Sequence, residues 1–213
     1  VKGAQDLKMV PKLVELEVKR QIELLKIKQE LIEKKLNQFE IVDLSLLLKK
    51  SESKVVKNTF AKDGKILGIK LDGFSGLVGR ELQPNYRLGT EFAGRAKIKA
   101  GVGGIFHSDE LPNYGITEEE VMLIKKTFGC KKEDAFILVA DKEEIAKIAL
   151  KAVYERAQEL VIGVPKEVRK AQDDGTTRFL RPIPGAARMY PETDIPLFKP
   201  KLENIEIPEL LEA

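Results

Sequence analysis

Apolar positions between Val10 and Leu36 recur at steps of three, four and seven, which predicts one long helix. Val14, Val18, Ile22, Leu25, Ile32 and Leu36 form an apolar face, and Leu13, Leu16, Leu24, Ile27 and Leu31 widen it. Glu15/Lys19 and Glu30/Lys34 are acid-first pairs four residues apart on the wet side. A packed helix with one solvated face explains this pattern better than a coiled coil or a membrane-surface helix. The apolar run Ile41–Leu48 then reads as a strand. After a composition shift at Ser51–Lys54, Val55–Phe60 and Ile66–Leu71 flank Lys62-Asp63-Gly64-Lys65. That spacing predicts a hairpin, because Gly accepts the positive φ such turns need.

Glycine is dense from Gly73 to Gly115, with apolar residues interleaved. The expectation here is short strands and tight turns around a small sheet, not a regular helix. Thr117-x-x-Glu120 is a capping box that opens a helix to about Phe128, where Gly129 stops it. Ala135–Ala140 reads as a buried strand. Asp141-x-x-Glu144 is expected to cap a further helix that ends near Gly163. Lys166–Asp194 is too rich in Pro and turn residues for one regular element. Glu203, Glu206, Glu209 and Glu212 against Lys201 make the C-terminal stretch an acidic, solvated or linker segment.

These elements predict an α+β chain. Its centre is a compact module with a mixed or antiparallel sheet and two main helices. A long helix and irregular strand and loop segments flank it. The expected division is 1–53, 54–163 and 164–213.

Composition narrows the classes. Of 213 residues, 43% are hydrophobic and 33% charged, which excludes a disordered chain. No apolar run approaches the roughly 18 residues of a membrane span, so no membrane association is expected. The first residue is Val1 and no basic-then-apolar leader follows, which argues against a signal peptide and for a piece of something longer. The single Cys130 excludes an internal disulfide framework and suits a reducing cytoplasm. Few Cys, no Trp and heavy Lys/Glu use suggest a thermophilic source. A net charge of +3 and a pI near 8.7 permit a nucleic-acid partner without requiring one.

Candidate chemistry is sparse. Gly101-Val102-Gly103-Gly104 does not complete G-x-G-x-x-G, and no phosphate-binding G-x-x-x-x-G-K-[ST] occurs. One Cys and one His cannot build a zinc site. His107 sits in a local His-Ser-Asp-Glu cluster, and sequence neighbours seldom make a triad, so a structural or surface role is expected. Cys130 reads as inert packing. Arg80–Lys99 holds Arg80, Arg87, Arg95, Lys97 and Lys99 against Glu81 and Glu91, with Tyr86 and Phe92 interleaved. Such a patch can follow a phosphate backbone or be a solvated face. Arg178, Arg181 and Arg188, followed by Glu192 and Asp194, could grip phosphate and hold Mg²⁺, or could tie a structural loop through ion pairs.

The stretch from Thr177 through Arg181-Pro182 to Pro184-Gly185-Ala186-Ala187-Arg188-Met189-Tyr190-Pro191-Glu192-Thr193-Asp194 resembles the E-type subunit family of archaeal glutamyl-tRNA(Gln) amidotransferases. The bacterial B-type relatives carry a similar Arg-Tyr-Phe-Pro-Glu-Pro-Asp ending. Val1–Gln5 and Val14–Gln21 look like the helix of that family's cradle domain. Arg87–Lys97, Gly101–Glu110 and Tyr114–Thr117 resemble its inserted GAD domain, shared with bacterial-type aspartyl-tRNA synthetases.

The resemblance implies an enzyme that uses ATP and Mg²⁺ to phosphorylate the glutamate of misacylated tRNA(Gln). Ammonia from an asparaginase-like D-type subunit then attacks the acyl phosphate, within a heterotetramer. The resemblance places Arg178, Arg181, Arg188, Glu192 and Asp194 at the border of the active cradle, and Arg87, Arg95, Lys97 and Lys99 against tRNA. The family's metal and nucleotide ligands lie outside this stretch, so the chain alone is expected to be inactive, with no cofactor or metal of its own. A noncatalytic tRNA-binding module and a piece of an aspartyl-tRNA synthetase are the alternatives.

Overall fold

The long apolar pattern forms helix α1, Val10–Leu31, which ends five residues short of the expected Leu36. The face it buries is the stripe of Leu13, Leu16, Arg20, Leu24, Ile27 and Leu31. Val14, Val18, Ile22, Leu25 and Ile32, expected to lead the packed face, are exposed. Two adjacent apolar stripes satisfy the same periodicity, and only the placement of neighbouring elements chooses between them. A computed structural model describes residues 1–34 and 36–183. Val1–Arg181 form one compact unit.

The core is an antiparallel four-stranded sheet in the order β1-β2-β6-β5, where β1 is Val42–Asp43, β2 Lys65–Leu71, β5 Phe106–His107 and β6 Ala135–Asp141. β2 and β6 pair along all seven residues, with Gly68 opposite Leu138. Leu67, Ile69, Leu71, Ile137 and Val139 face one side and pack with α1, α3 (Leu88–Ala100) and α5 (Glu143–Ile162). Ile66, Phe136 and Leu138 face the other, against Leu44, Leu48, α2 (Lys54–Ala61) and α4 (Glu118–Phe128). Burial on both faces explains why these strands read as continuous apolar runs without alternation.

The α+β class holds, and several elements differ from expectation. Ile41–Leu48 is a strand only at Val42–Asp43. Beyond it the chain turns, because Leu44 and Leu48, four apart, both enter the second core, where Leu48 N–H bonds Leu44 C=O. Val55–Phe60 lies in the helix α2, not in a hairpin strand. In the following turn it is Asp63 that takes the positive φ, 56°. Gly64 is required for space: a Cβ there would stand 2.6 Å from Thr59 Cγ2. The Gly-rich region does hold short strands, β3 (Glu81–Gln83) and β4 (Tyr86–Arg87), paired to each other. It also holds the 13-residue α3, contrary to the expectation of no regular helix, and Gly89 and Gly94 lie within that helix. At Gly89 a Cβ would come within 2.6 Å of His107 Nε2, so the helix passes close to that ring.

The capping box at α4 is present as expected. Glu120 N–H donates to Thr117 Oγ1 (3.2 Å), and Thr117 N–H to Glu120 Oε2 (2.8 Å). Gly129 closes the helix in the left-handed conformation. Thr117→Ala should therefore lower stability by about 1 kcal/mol in urea unfolding, with little change in slope. Asp141 does not cap α5. It ends β6, and Lys142 occupies the cap position without a side-chain bond. Beyond α5, the stretch expected to be too broken for one regular element holds two short strands, β7 (Glu167–Ala171) and β8 (Thr177–Pro182), in a two-stranded ribbon.

Candidate nucleic-acid interface

The basic stretch Arg80–Lys99 is carried by the β3–β4 hairpin and α3, and the helix sorts its cations. Arg87 at the start of α3 is exposed, as are Lys97 and Lys99 in its last turn. None of the three is ion-paired among the described residues. About 12 residues of helix place the two ends roughly 18 Å apart. Cations at the C-terminal turn also suit the helix dipole, a purely structural reason for Lys97 and Lys99. Arg80 pairs with Glu30 of α1 at 2.5 Å.

Arg95, expected among the phosphate contacts, points the other way. Its guanidinium pairs with Glu159 (3.2 Å) and with Glu167, and lies 3.6 Å from the centre of the Phe179 ring. It is one member of a largely buried network drawn from four elements distant in the sequence. Glu17 and Arg20 come from α1, Glu91 and Arg95 from α3, Arg156 and Glu159 from α5, and Glu167 and Arg169 from β7. Four arginines meet four glutamates, so the cluster is neutral as a whole.

Glu91 is fully buried, and its Oε1 accepts from Arg156 Nε at 2.7 Å. Burial alone would raise its pKa. The Coulomb attraction of Arg156, Arg20 and Arg169 outweighs that and brings it to about 2. Burial likewise opposes ionisation of Glu17, but Arg20, Thr177 and Gln21 hold its pKa below the usual range. Thr177 of β8 completes the lattice: its hydroxyl donates to Glu17 Oε2 (2.6 Å) and accepts from Arg169 Nε (2.8 Å). One sequence signal pointed here. Arg20 occupies the position between Leu16 and Leu24 on an apolar stripe, where a charge needs a buried partner.

Arg178 and Arg181 lie on β8. Arg178 donates to Thr176 Oγ1 (3.0 Å) and Thr177 C=O (3.1 Å) and stands 4.1 Å from the Tyr86 ring centre. Burial drives the Tyr86 phenol pKa up, so it stays protonated. Arg188, Glu192 and Asp194 lie outside the described residues, and the acidic stretch 201–213 does too. Cys130 is half-buried, and burial raises its thiol to about 11, which leaves little thiolate at neutral pH. Among the described residues no three His, Cys, Asp or Glu side chains gather as a cation site. No helix among the described residues is long and apolar enough to cross a membrane.

An antiparallel sheet covered on both faces, with exposed cations on helix α3 beside it, defines an α+β module. Residues 56–150 match the GAD domain family. The chain is 55% identical over 207 residues to the E-type subunit of glutamyl-tRNA(Gln) amidotransferase from Methanococcus maripaludis, covering 97% of this chain and 33% of that protein. Against the same protein of Methanocaldococcus jannaschii it is 54% identical over 219 residues, all of this chain and 35% of the relative. Against that of Pyrococcus furiosus it is 54% identical over 200 residues, 92% of this chain and 32% of the relative. Residues 56–150 are thus similar to the GAD domain family, and the chain is similar to the archaeal E-type amidotransferase subunits along nearly its whole length, while spanning about a third of the length of these curated relatives.

Proposed function

We propose that this chain is the tRNA-contacting portion of a tRNA-dependent amidotransferase. Similarity at 54–55% identity along 92–100% of the chain to E-type subunits of glutamyl-tRNA(Gln) amidotransferase carries the reading. Arg87, Lys97 and Lys99, exposed and without an ion-pair partner among the described residues, give it a physical mechanism. In this reading the three-part organisation 1–53, 54–163 and 164–213 separates a helical host segment, the GAD module and a return to the host domain. The whole protein would act as a carbon–nitrogen ligase on Glu-tRNA(Gln) with ATP, Mg²⁺ and ammonia from an asparaginase-like D-type subunit, through ligands beyond the described residues. Arg178, Arg181, Arg188, Glu192 and Asp194 would border that site. Arg178, held by Thr176, Thr177 and Tyr86, would be a fixed positive edge to it.

Phosphate contacts are tested by salt dependence. In filter binding of tRNA(Gln), Lys97→Ala/Lys99→Ala should weaken binding and reduce the slope of log K against log salt by about 2, close to one per lost contact. Arg95→Ala should instead lower the unfolding midpoint. Unchanged affinity and slope in the double lysine variant would remove the reading.

A further inference from the structure

A cavity of about 700 Å³ opens beside the start of α3, between the β3–β4 hairpin, the loop before β5 and the segment around Tyr114. Its size lies within the range for small organic ligands. Four features of its wall act together.

The first is an aromatic platform. Tyr114 is half-exposed, its phenol O–H donates to Glu110, and Phe106 packs behind it with ring centres 5.8 Å apart. The ring is thus held at both ends. Its backbone sits at φ 55°, a conformation uncommon for an aromatic residue, and such outliers concentrate at ligand sites. The second is a bare backbone wall. At Gly103 and Gly104 an added Cβ would meet nothing within 4 Å, so the space beside the chain is open to a flat group.

The third is His107. Its side chain is only 7% exposed, lines the cavity, and its Nδ1 has no hydrogen-bond partner among the described residues. Burial lowers its pKa, against the pull of Glu110 and Asp109, which favours a neutral ring able to accept as well as donate. The fourth is Arg87 at the rim, exposed and without an ion-pair partner among the described residues. A planar heterocycle would stack on Tyr114 and an attached anion would meet Arg87.

We propose that this cavity takes a single unpaired nucleotide, its base on Tyr114 and against Gly103–Gly104, its phosphate on Arg87. That chemistry is presented by a single-stranded position in RNA and by a free mononucleotide. Where the source is RNA, the proposal rests on the tRNA-contact reading. A fully paired helix could supply the phosphate but not the base.

The test is a titration of the whole 213-residue chain, followed by amide and imidazole NMR. The probes are the four nucleoside monophosphates, a single-stranded hexaribonucleotide and a blunt RNA duplex. The hexamer or a monophosphate should shift Gly103, Gly104 and the His107 ring, and the duplex should not. Tyr114→Ala should weaken that binding by about 5- to 150-fold, the usual worth of one base stacked on an aromatic ring. Tyr114→Phe, which keeps the platform, should stay close to wild type. An unchanged thermal midpoint in both variants separates this effect from misfolding.

If no probe moves these resonances, or Tyr114→Ala binds as wild type does, the proposal fails. If tRNA binds with a normal salt slope while the hexamer leaves the cavity silent, the cavity proposal fails and the tRNA reading stands. If monophosphates bind here but tRNA does not bind the chain, the cavity stands and the tRNA reading fails.

Discussion

Glu91→Gln should lower the stability of the fold by about 3–5 kcal/mol in urea unfolding at pH 7. The carboxylate is fully buried, and Arg20, Arg156 and Arg169 converge on it. Gln keeps the volume and part of the hydrogen bonding but removes the negative charge. Four arginines would then face three glutamates, and Arg20, Arg156 and Arg169 among them are buried. Arg156, itself buried, would lose the counter-charge on its Nε. The cost comes from stranding this cation, not from the worth of the ion pair, since a buried pair as such contributes little. Glu91→Gln combined with Arg156→Met should therefore recover part of the loss, and the double-mutant cycle measures that coupling.

The same group sets an acid limb. The folded pKa of Glu91, about 2, lies below its ordinary value of 4.5. A depressed carboxylate contributes stability that is fully present above the unfolded-state pKa and is lost as pH falls through the folded one. The stabilising contribution of Glu91 should thus be constant above about pH 5 and should fade between pH 4.5 and 2. Glu17, also depressed, adds to the same limb. The Glu91→Gln variant should show a shallower decline across that window. Equal acid limbs in the two proteins would show that Glu91 does not titrate as the network requires.

Phe136→Ala is the second large effect, about 3–5 kcal/mol. Phe136 lies at full burial in β6, and its ring stacks on Phe128 of α4 at 6.1 Å between centres. It faces the second core with Ile66 and Leu138. That core is the smaller of the two, so fewer side chains can relax into the space left by the ring. The sheet backbone leaves no slack either: at Gly68 an added Cβ would lie 2.9 Å from Phe128 Cζ and 2.7 Å from Leu138 Cδ2. The change should shift the denaturation midpoint with an unchanged slope. A loss under about 1 kcal/mol would mean that α4 collapses onto the sheet and that the second core is loosely packed.

Local signals were the legible ones. Thr117, Glu120 and Gly129 specify the two ends of α4 through bonds within the helix, so no distant partner could alter them. Ala135–Ala140 has to be interior because its apolar run leaves no solvent face. The elements that differ from expectation each depend on something remote. Val55–Phe60 is apolar enough for a strand, but β2 finds its partner in β6, about 70 positions on, and the earlier segment coils into α2. α3 is masked in the sequence by Gly89 and Gly94, which are weak helix formers tolerated there by packing against α5. In α1 the period is the expected one and the buried stripe is its neighbour.

The candidate site divides in the same way. That Arg87, Lys97 and Lys99 are cationic, and that the motifs resemble the E-type amidotransferase family, can be read from the residues alone. Which cations remain free cannot, since Arg95 is drawn inward by Glu159 and Glu167, the second of them 72 positions away. His107 is ordinary beside its sequence neighbours; only the approach of α3, Tyr114 and the Gly103–Gly104 loop makes it part of a cavity wall. Periodicity, capping and motif order act over a few residues, and for that reason the bare sequence suffices for the α+β class, the ends of α4, the central strand and the family resemblance. Long-range packing had to choose which face of α1 is buried, which arginines are spent in the eight-residue ion network, and where a cavity opens. Those outcomes turn on the desolvation of charges and the packing of side chains brought together from opposite ends of the chain.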